Sequence, residues 1–285
     1  MHMQMDMSLV QVNPEVQIET NQVEEKAFVT IKWLHFWACL FFLVQTIAYS
    51  AVNTKAMVNP SIGKPTGCDG PICFTTLKHL GEINSIFIIP LFVALAFFDH
   101  LVSFLICHFY EKSAKFWIFN VGSNPLRWME YSVSASFMTI GISILAGVSD
   151  VHLWLLMFLM TGIGMFFGQI IELLPSEEHP EWYPIKFSSI RSLAFWLGTV
   201  SIFTPWLVIA CYFFRAIGSD TPKFVYAAFL GTFVLFLTFG INSYLCNILG
   251  VYKFSTAEII YISLSFTAKT FLAADVFGGL NASNN

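Results

Sequence analysis

The chain has 285 residues, of which 56% are hydrophobic and only 11% charged, with 31 Phe and a formal net charge of −4. Soluble domains carry about 25% charged residues, so this composition excludes an ordinary water-soluble protein and points to a bilayer. The acidic balance leaves no basic footprint for nucleic acid, and six scattered cysteines make no disulfide scaffold.

Residues 1–26 are polar and rich in Met, Gln and Glu, without the basic stretch and short apolar core of a secretory signal. A mobile tail is expected there. Seven apolar stretches follow, at about 31–52, 83–109, 126–147, 152–174, 191–215, 224–249 and 256–278. Each is close to the ~20 residues that a helix needs to cross a bilayer. Neither a soluble bundle nor a β-barrel contains seven such runs. The expected fold class is all-α: a seven-transmembrane-helix bundle over residues 27–280, with a short tail at 281–285.

The first span carries His35. The loop after it, 53–82, is long and polar and holds Cys68 and Cys73 on either side of Asp69-Gly70-Pro71. A local disulfide is plausible if that loop faces an oxidising compartment, whereas Cys39, Cys107, Cys211 and Cys246 lie in apolar spans and read as small buried hydrophobes. The second span contains Asp99, His100 and His108. Asp99 and His100 are adjacent, so they should project in different directions, Asp99 towards the interface or a hydrated cavity. Histidine titrates near neutrality and suits a proton acceptor, although a lone membrane histidine also serves as a hydrogen-bonded packing residue.

Ser123-Asn124-Pro125 offers a cap and an early proline for the third span, which opens Arg127-Trp128-Met129-Glu130-Tyr131-Ser132-Val133-Ser134-Ala135-Ser136. Hydroxyl residues such as Ser134 let helices approach and offer hydrogen bonds. The fourth span ends near Glu172 and Pro175, and Pro205 lies within the fifth, where a kink is tolerable in lipid. Gly278-Gly279 closes the seventh.

Lys269 lies near the middle of that last span, with no acidic residue within five positions. An intramembrane charge is costly and marks a functional site by default. A buried lysine escapes the cost by losing its proton or by condensing with a carbonyl to form a Schiff base. Glu130, one turn inside the third span, is the strongest candidate for its counterion; the alternative is an interfacial carboxylate paired with Arg127. Ser265, one turn before Lys269 on the same face, either bonds the lysine site or bonds back to its own helix. Glu258 shares that face about 16 Å away, and Asp275 lies beyond the lysine. The two either extend a proton path or, like Glu172, are solvated helix-end residues.

Seven spans place the termini on opposite sides. Lys26, Lys32, Lys112, Lys115, Arg127, Lys186, Arg191 and Lys253 fall on the N-terminal side, against Lys55, Lys64, Lys78, Arg215 and Lys223. The excess favours a cytoplasmic N-terminus and an exported C-terminus.

Taken together, Arg-Trp-x-Glu-Tyr-Ser-x-Ser-Ala-Ser at 127–136, Ser265-Phe-Thr-Ala-Lys269, Val276-Phe277-x-Gly279, Leu34-His35-Phe36 and Phe98-x-His100-Leu101 resemble the heliorhodopsins. The resemblance covers residues 31–280 and implies a rhodopsin-like bundle with a cytoplasmic N-terminus. It implies all-trans retinal bound covalently to Lys269 as a protonated Schiff base, with Glu130 as counterion and Ser265 nearby. Met138, two turns after Glu130, together with Met165 and Gly168 on the fourth span, could then touch the chromophore, the glycine leaving room for a ring. His35 and His100 fall where the family keeps a water-containing polar cluster, and loop 53–82 where it has an outer loop contributing to a homodimer. Ala96 replaces a serine common in the family, and Asp99, Glu258 and Asp275 make this chain richer in carboxylates. The implied function is a slow photosensor in the bilayer, not an enzyme, requiring no metal and signalling to an unidentified cytoplasmic partner. A light-gated proton channel or transporter, using His100, Asp99, Glu258 or Asp275, is the alternative. A b-type cytochrome with haem on His35, His100 or His108 would leave Lys269 unexplained.

Overall fold

Seven long helices lie side by side in the computed structural model, which describes residues 14–51, 57–69, 72–174, 189–219 and 221–284. In chain order these are α1 (Pro14–Ala51), α2 (Ile88–Phe109), α4 (Pro125–Leu145), α5 (Val151–Leu173), α6 (Ile190–Ala216), α7 (Lys223–Ser243) and α8 (Phe254–Asn284), with a short α3 (Glu111–Lys115) between α2 and α4. Six of them are long and apolar enough to cross a bilayer unaided. The seventh, α4, is more polar because Ser132, Ser134, Ser136, Thr139 and Ser143 all turn inward and are buried. Several of these hydroxyls bond to backbone: Thr139 donates to Ala135 O at 2.9 Å, and Ser136 Oγ lies 2.7 Å from Ser132 O and 2.8 Å from Phe158 O of α5. The outer faces remain apolar, with Trp37, Val44 and Leu207 each more than 60% exposed. Such a belt suits lipid rather than water. Cys39 and Cys107 are buried as expected, but Cys211 lies on this exposed surface and Cys246 is only partly covered.

Capping fixes several helix starts. Asn124, Asp150 and Ser189 accept backbone N–H bonds at the first turns of α4, α5 and α6. Around the bundle, α1 packs on α2 and α8, α2 on α4, α4 on α5, α5 on α6, and α7 on α8. Between α6 and α7 the contact is aromatic: Trp206 meets Phe229, Phe233 and Phe236, while Phe213 stacks on Phe229 at 4.2 Å. This last junction is held by side chains rather than by close backbones, and that leaves room inside.

Three expectations need revision. The polar segment 14–26 is not a mobile tail but the first turns of α1; residues 1–13 lie outside the description. Gly278-Gly279 does not end the last helix, which runs on to Asn284 and absorbs most of the expected tail. Glycine costs a helix only about 1 kcal/mol, and a Cβ at Gly279 would collide with the Phe224 ring, so the residue serves helix packing. Loop 53–82 is also more ordered than its composition suggested. Strands β2 (Ser61–Asp69) and β3 (Ile72–His79) form an antiparallel hairpin, beside a short pair of β1 (Met57–Val58) and β4 (Ile83–Asn84). The ladder is irregular between Pro65 and Gly67, where proline has no N–H to donate. Ser61 anchors the hairpin to the bundle, donating its N–H to Ser149 O at 2.9 Å. Cys68 and Cys73 are register partners across the hairpin; their side chains, and hence the anticipated disulfide, lie outside the described residues.

Candidate functional site

Lys269 is 3% exposed in α8, and its Nζ lies 2.6 Å from Glu130 Oε1 of α4. The ammonium also sits 5.1 Å above the Tyr131 ring, a cation–π arrangement that favours positive charge there. Burying a charge is costly unless it is paired, so these contacts explain how the lysine can remain inside the bundle. The pairing is incomplete, because Glu130 Oε2 and Ser134 Oγ are buried without a hydrogen-bond partner.

A cavity of about 340 Å³ opens at this pair and extends between α4, α5, α6, α7 and α8. Its volume is at the lower end of the ~300–1,000 Å³ typical of small-molecule sites. The walls include Trp128, Met138, Met165, Trp206 and Phe236, and Ser134, Ser265 and Lys269 also face it. The sequence expectation thus assembles: Ser134, Met138, Met165, Gly168, Ser265 and Lys269 line one space. Two details differ from expectation. Ser265 Oγ bonds neither to its own helix nor to the Lys269–Glu130 pair, and at Gly168 it is the Trp128 indole that a Cβ would strike.

One turn towards the start of α4 lies a second ionic cluster. Arg127 Nη1 donates to Glu258 of α8 and Nη2 to Glu172 of α5, with all three residues at most 3% exposed. Asn124 completes it: its side-chain amide donates to Glu258 Oε1 at 2.7 Å and its backbone N–H to Glu172 Oε2 at 3.1 Å. Tyr261 covers the guanidinium, with Arg127 Cζ 4.0 Å from its ring centroid. Two expectations are overturned here. Arg127 is not the partner of Glu130, and Glu172 and Glu258 are not solvated helix-end residues. The missed signal was shared level: Arg127 and Glu258 lie within the first five residues of α4 and α8, and Glu172 is the penultimate residue of α5, which runs the other way.

On the α1–α2 side, His35 and His100 meet with Nδ1 atoms 2.9 Å apart, and both are buried. Asp99 Oδ2 is 3.8 Å from His100 Nδ1, and its side chain is only 7% exposed. Adjacency in sequence therefore did not separate the two residues; both turn inward. His108 is exposed and takes no part. The two inward histidines bond each other, unlike opposed haem ligands. Asp275 is half-buried towards the other end of α8 and joins none of these clusters among the described residues. At the N-terminal face, Lys115 Nζ lies 2.6 Å from Glu25 and 2.7 Å from Glu111. The Lys115 hydrogen bond holds the Glu111 carboxyl below its usual range, and its two carboxylate partners push Lys115 up.

A sequence profile of the heliorhodopsin family matches residues 31–280. No curated protein matches the chain. Among solved structures, cyanorhodopsin from the cyanobacterium Tolypothrix sp. aligns with a TM-score of 0.57 at 10% identity, covering 93% of this chain and 99% of that one. A light-driven proton pump from Leptosphaeria maculans aligns with a TM-score of 0.49 at 11% identity, over 92% and 94% of the two chains. At such identities the first likeness concerns the fold.

Proposed function

The chain belongs to the heliorhodopsin family of retinal-binding, light-responsive multi-pass membrane proteins, and from that premise we propose that it is a photosensor with retinal attached at Lys269. The observation that carries this reading is the buried Lys269–Glu130 pair at the mouth of an apolar cavity. The residues present fit the group: a condensable amine, aromatic and methionine walls, and the Ser134 and Ser265 hydroxyls facing the same space. Retinal, when bound as a Schiff base, would supply visible absorption and a light-driven change of shape.

The protein's own residues have definable tasks in this scheme. Glu130 Oε1 keeps positive charge on the Lys269 nitrogen, since an adjacent carboxylate favours the charged form. Tyr131 supports the same charge through its ring. Trp128, Met138, Met165 and Trp206 exclude water and fix the orientation of the apolar chain. A disturbance at Lys269 biases the packing of α4 against α8, a two-state response of the kind a sensor needs. In this reading the N-terminus is cytoplasmic, supported by the basic residues on that side, and loop 53–82 contributes to a homodimer contact outside. A cytoplasmic partner would read the N-terminal face.

The proton-transport alternative draws support from the His35–His100–Asp99 cluster, but the Arg127 cluster lies between the lysine and the N-terminal face and favours sensing. Voltage clamp of retinal-supplied cells under imposed pH gradients separates the two. A photosensor gives a coloured, surface-expressed pigment with no light-evoked current; a current that reverses with the proton gradient overturns it.

A further inference from the structure

Charges and hydrogen bonds counted together leave one interior carboxylate unexplained among the described residues. Lys269 balances Glu130, and Arg127 faces Glu172 and Glu258 with Asn124 donating to both carboxylates. Asp99 has no cation of its own among the described residues. Its nearest titratable neighbour is His100, at 3.8 Å, and His100 is bonded to His35. Charges on Glu130 and Arg127 of α4 and on Lys269 and Glu258 of α8 also act on it. An isolated carboxylate in so dry a place is costly.

The histidine geometry narrows the possibilities. Two Nδ1 atoms at 2.9 Å need one hydrogen between them, so one ring donates and the other accepts. Both rings neutral, or one ring protonated, satisfy that contact equally; two imidazoliums do not. With both rings neutral, neutrality requires a protonated Asp99. With one imidazolium, it requires an ionised Asp99. Both arrangements contain the same number of protons.

We propose that Asp99, His100 and His35 form one buried unit that holds a single proton and is electrically neutral, so that Asp99 controls the charge that the unit presents to Lys269. The proton moves between an Asp99 oxygen and the unpartnered His100 Nε2, the O–H bond breaking as the N–H bond forms, while the single hydrogen between the Nδ1 atoms stays in place. Asp99 is a positioning residue for charge, acting through space on the lysine site. The proton count does not depend on the retinal reading; its effect on colour does.

The test uses the full chain in lipid nanodiscs without retinal, comparing wild type with Asp99→Asn near neutral pH. Infrared spectroscopy reads the carboxylic acid C=O stretch, and nitrogen NMR reads the histidine rings. Wild type should contain one equivalent in total, as protonated Asp99 plus imidazolium, and Asp99→Asn should contain neither signal. An ionised Asp99 beside two neutral rings, or an imidazolium that persists in Asp99→Asn, overturns the proposal. If Asp99→Asn fails to fold, His100→Gln serves instead, because Asp99 should then hold the whole proton and give a C=O band at least as strong as in wild type; a weaker band counts against the unit. In retinal-loaded protein, alkaline removal of the proton should shift the absorption band to shorter wavelength in wild type and not in Asp99→Asn. Equal alkaline shifts in both would assign the charge elsewhere and overturn control by Asp99. Absence of any pigment would defeat the retinal reading and leave the apoprotein result to decide the unit.

Discussion

Two ionic clusters lie one turn apart on α4, and they are built to different standards. Around Arg127 every carboxylate oxygen of Glu172 and Glu258 is bonded, and the three helices α4, α5 and α8 are tied together. Around Lys269 one carboxylate oxygen is left without a partner and a cavity adjoins the pair. The chemistry of the cations accounts for the difference. A guanidinium stays charged and needs standing carboxylate partners, even though Arg127 Nε has none among the described residues, whereas a lysine amine can give up its proton or form a covalent bond. The first cluster is a clasp; the second is a site.

Breaking the clasp should have the largest effect on stability. Arg127→Ala strands two buried carboxylates and should cost about 3–5 kcal/mol, measured as a loss of thermal stability in detergent. Glu172→Gln leaves Arg127 with one carboxylate and should cost about 1–3 kcal/mol, with the pigment's colour nearly unchanged in the surviving protein. Gly168→Ala drives a methyl group into the Trp128 indole, an overpacking worth about 1–3 kcal/mol, and should slow retinal uptake because that indole is cavity wall.

Glu130→Gln inverts the pattern. Its stability cost should fall below that of Glu172→Gln, because Lys269 can become neutral, while the absorption band should move or collapse. Equal colour changes from Glu130→Gln and Glu172→Gln would erase the distinction between clasp and site. The smallest effect belongs to the surface. The contribution of Glu111, whose carboxyl is held low by Lys115, is present at neutral pH and lost as pH falls through its depressed value. Lys115→Ala should therefore remove a slight acid-sensitive part of the unfolding curve and leave the spectrum untouched.

The spans were legible because lipid demands long apolar runs, and Lys269 and Glu130 were legible because charges in such runs are rare. Ser134 and Met138 followed from their place on the Glu130 helix, whereas Met165, on another helix, rested on residue type alone. Partner choice was harder to read. Arg127 and Glu130 share one helix face at three-residue spacing, yet Arg127 turns to Glu172 and Glu258, 45 and 131 positions away. Only tertiary packing sets that preference. Likewise Asp99 beside His100 suggested opposite directions, but the inward side of α2 is broad enough to bury both. The hairpin in loop 53–82 escaped notice because its strands lack alternation, being rich in Gly, Thr and Lys.

The most direct measurement is the visible spectrum of purified wild type and Lys269→Ala after addition of all-trans retinal. The account predicts a visible band in wild type and none in the variant. A band of equal strength in Lys269→Ala would contradict it and place the chromophore elsewhere.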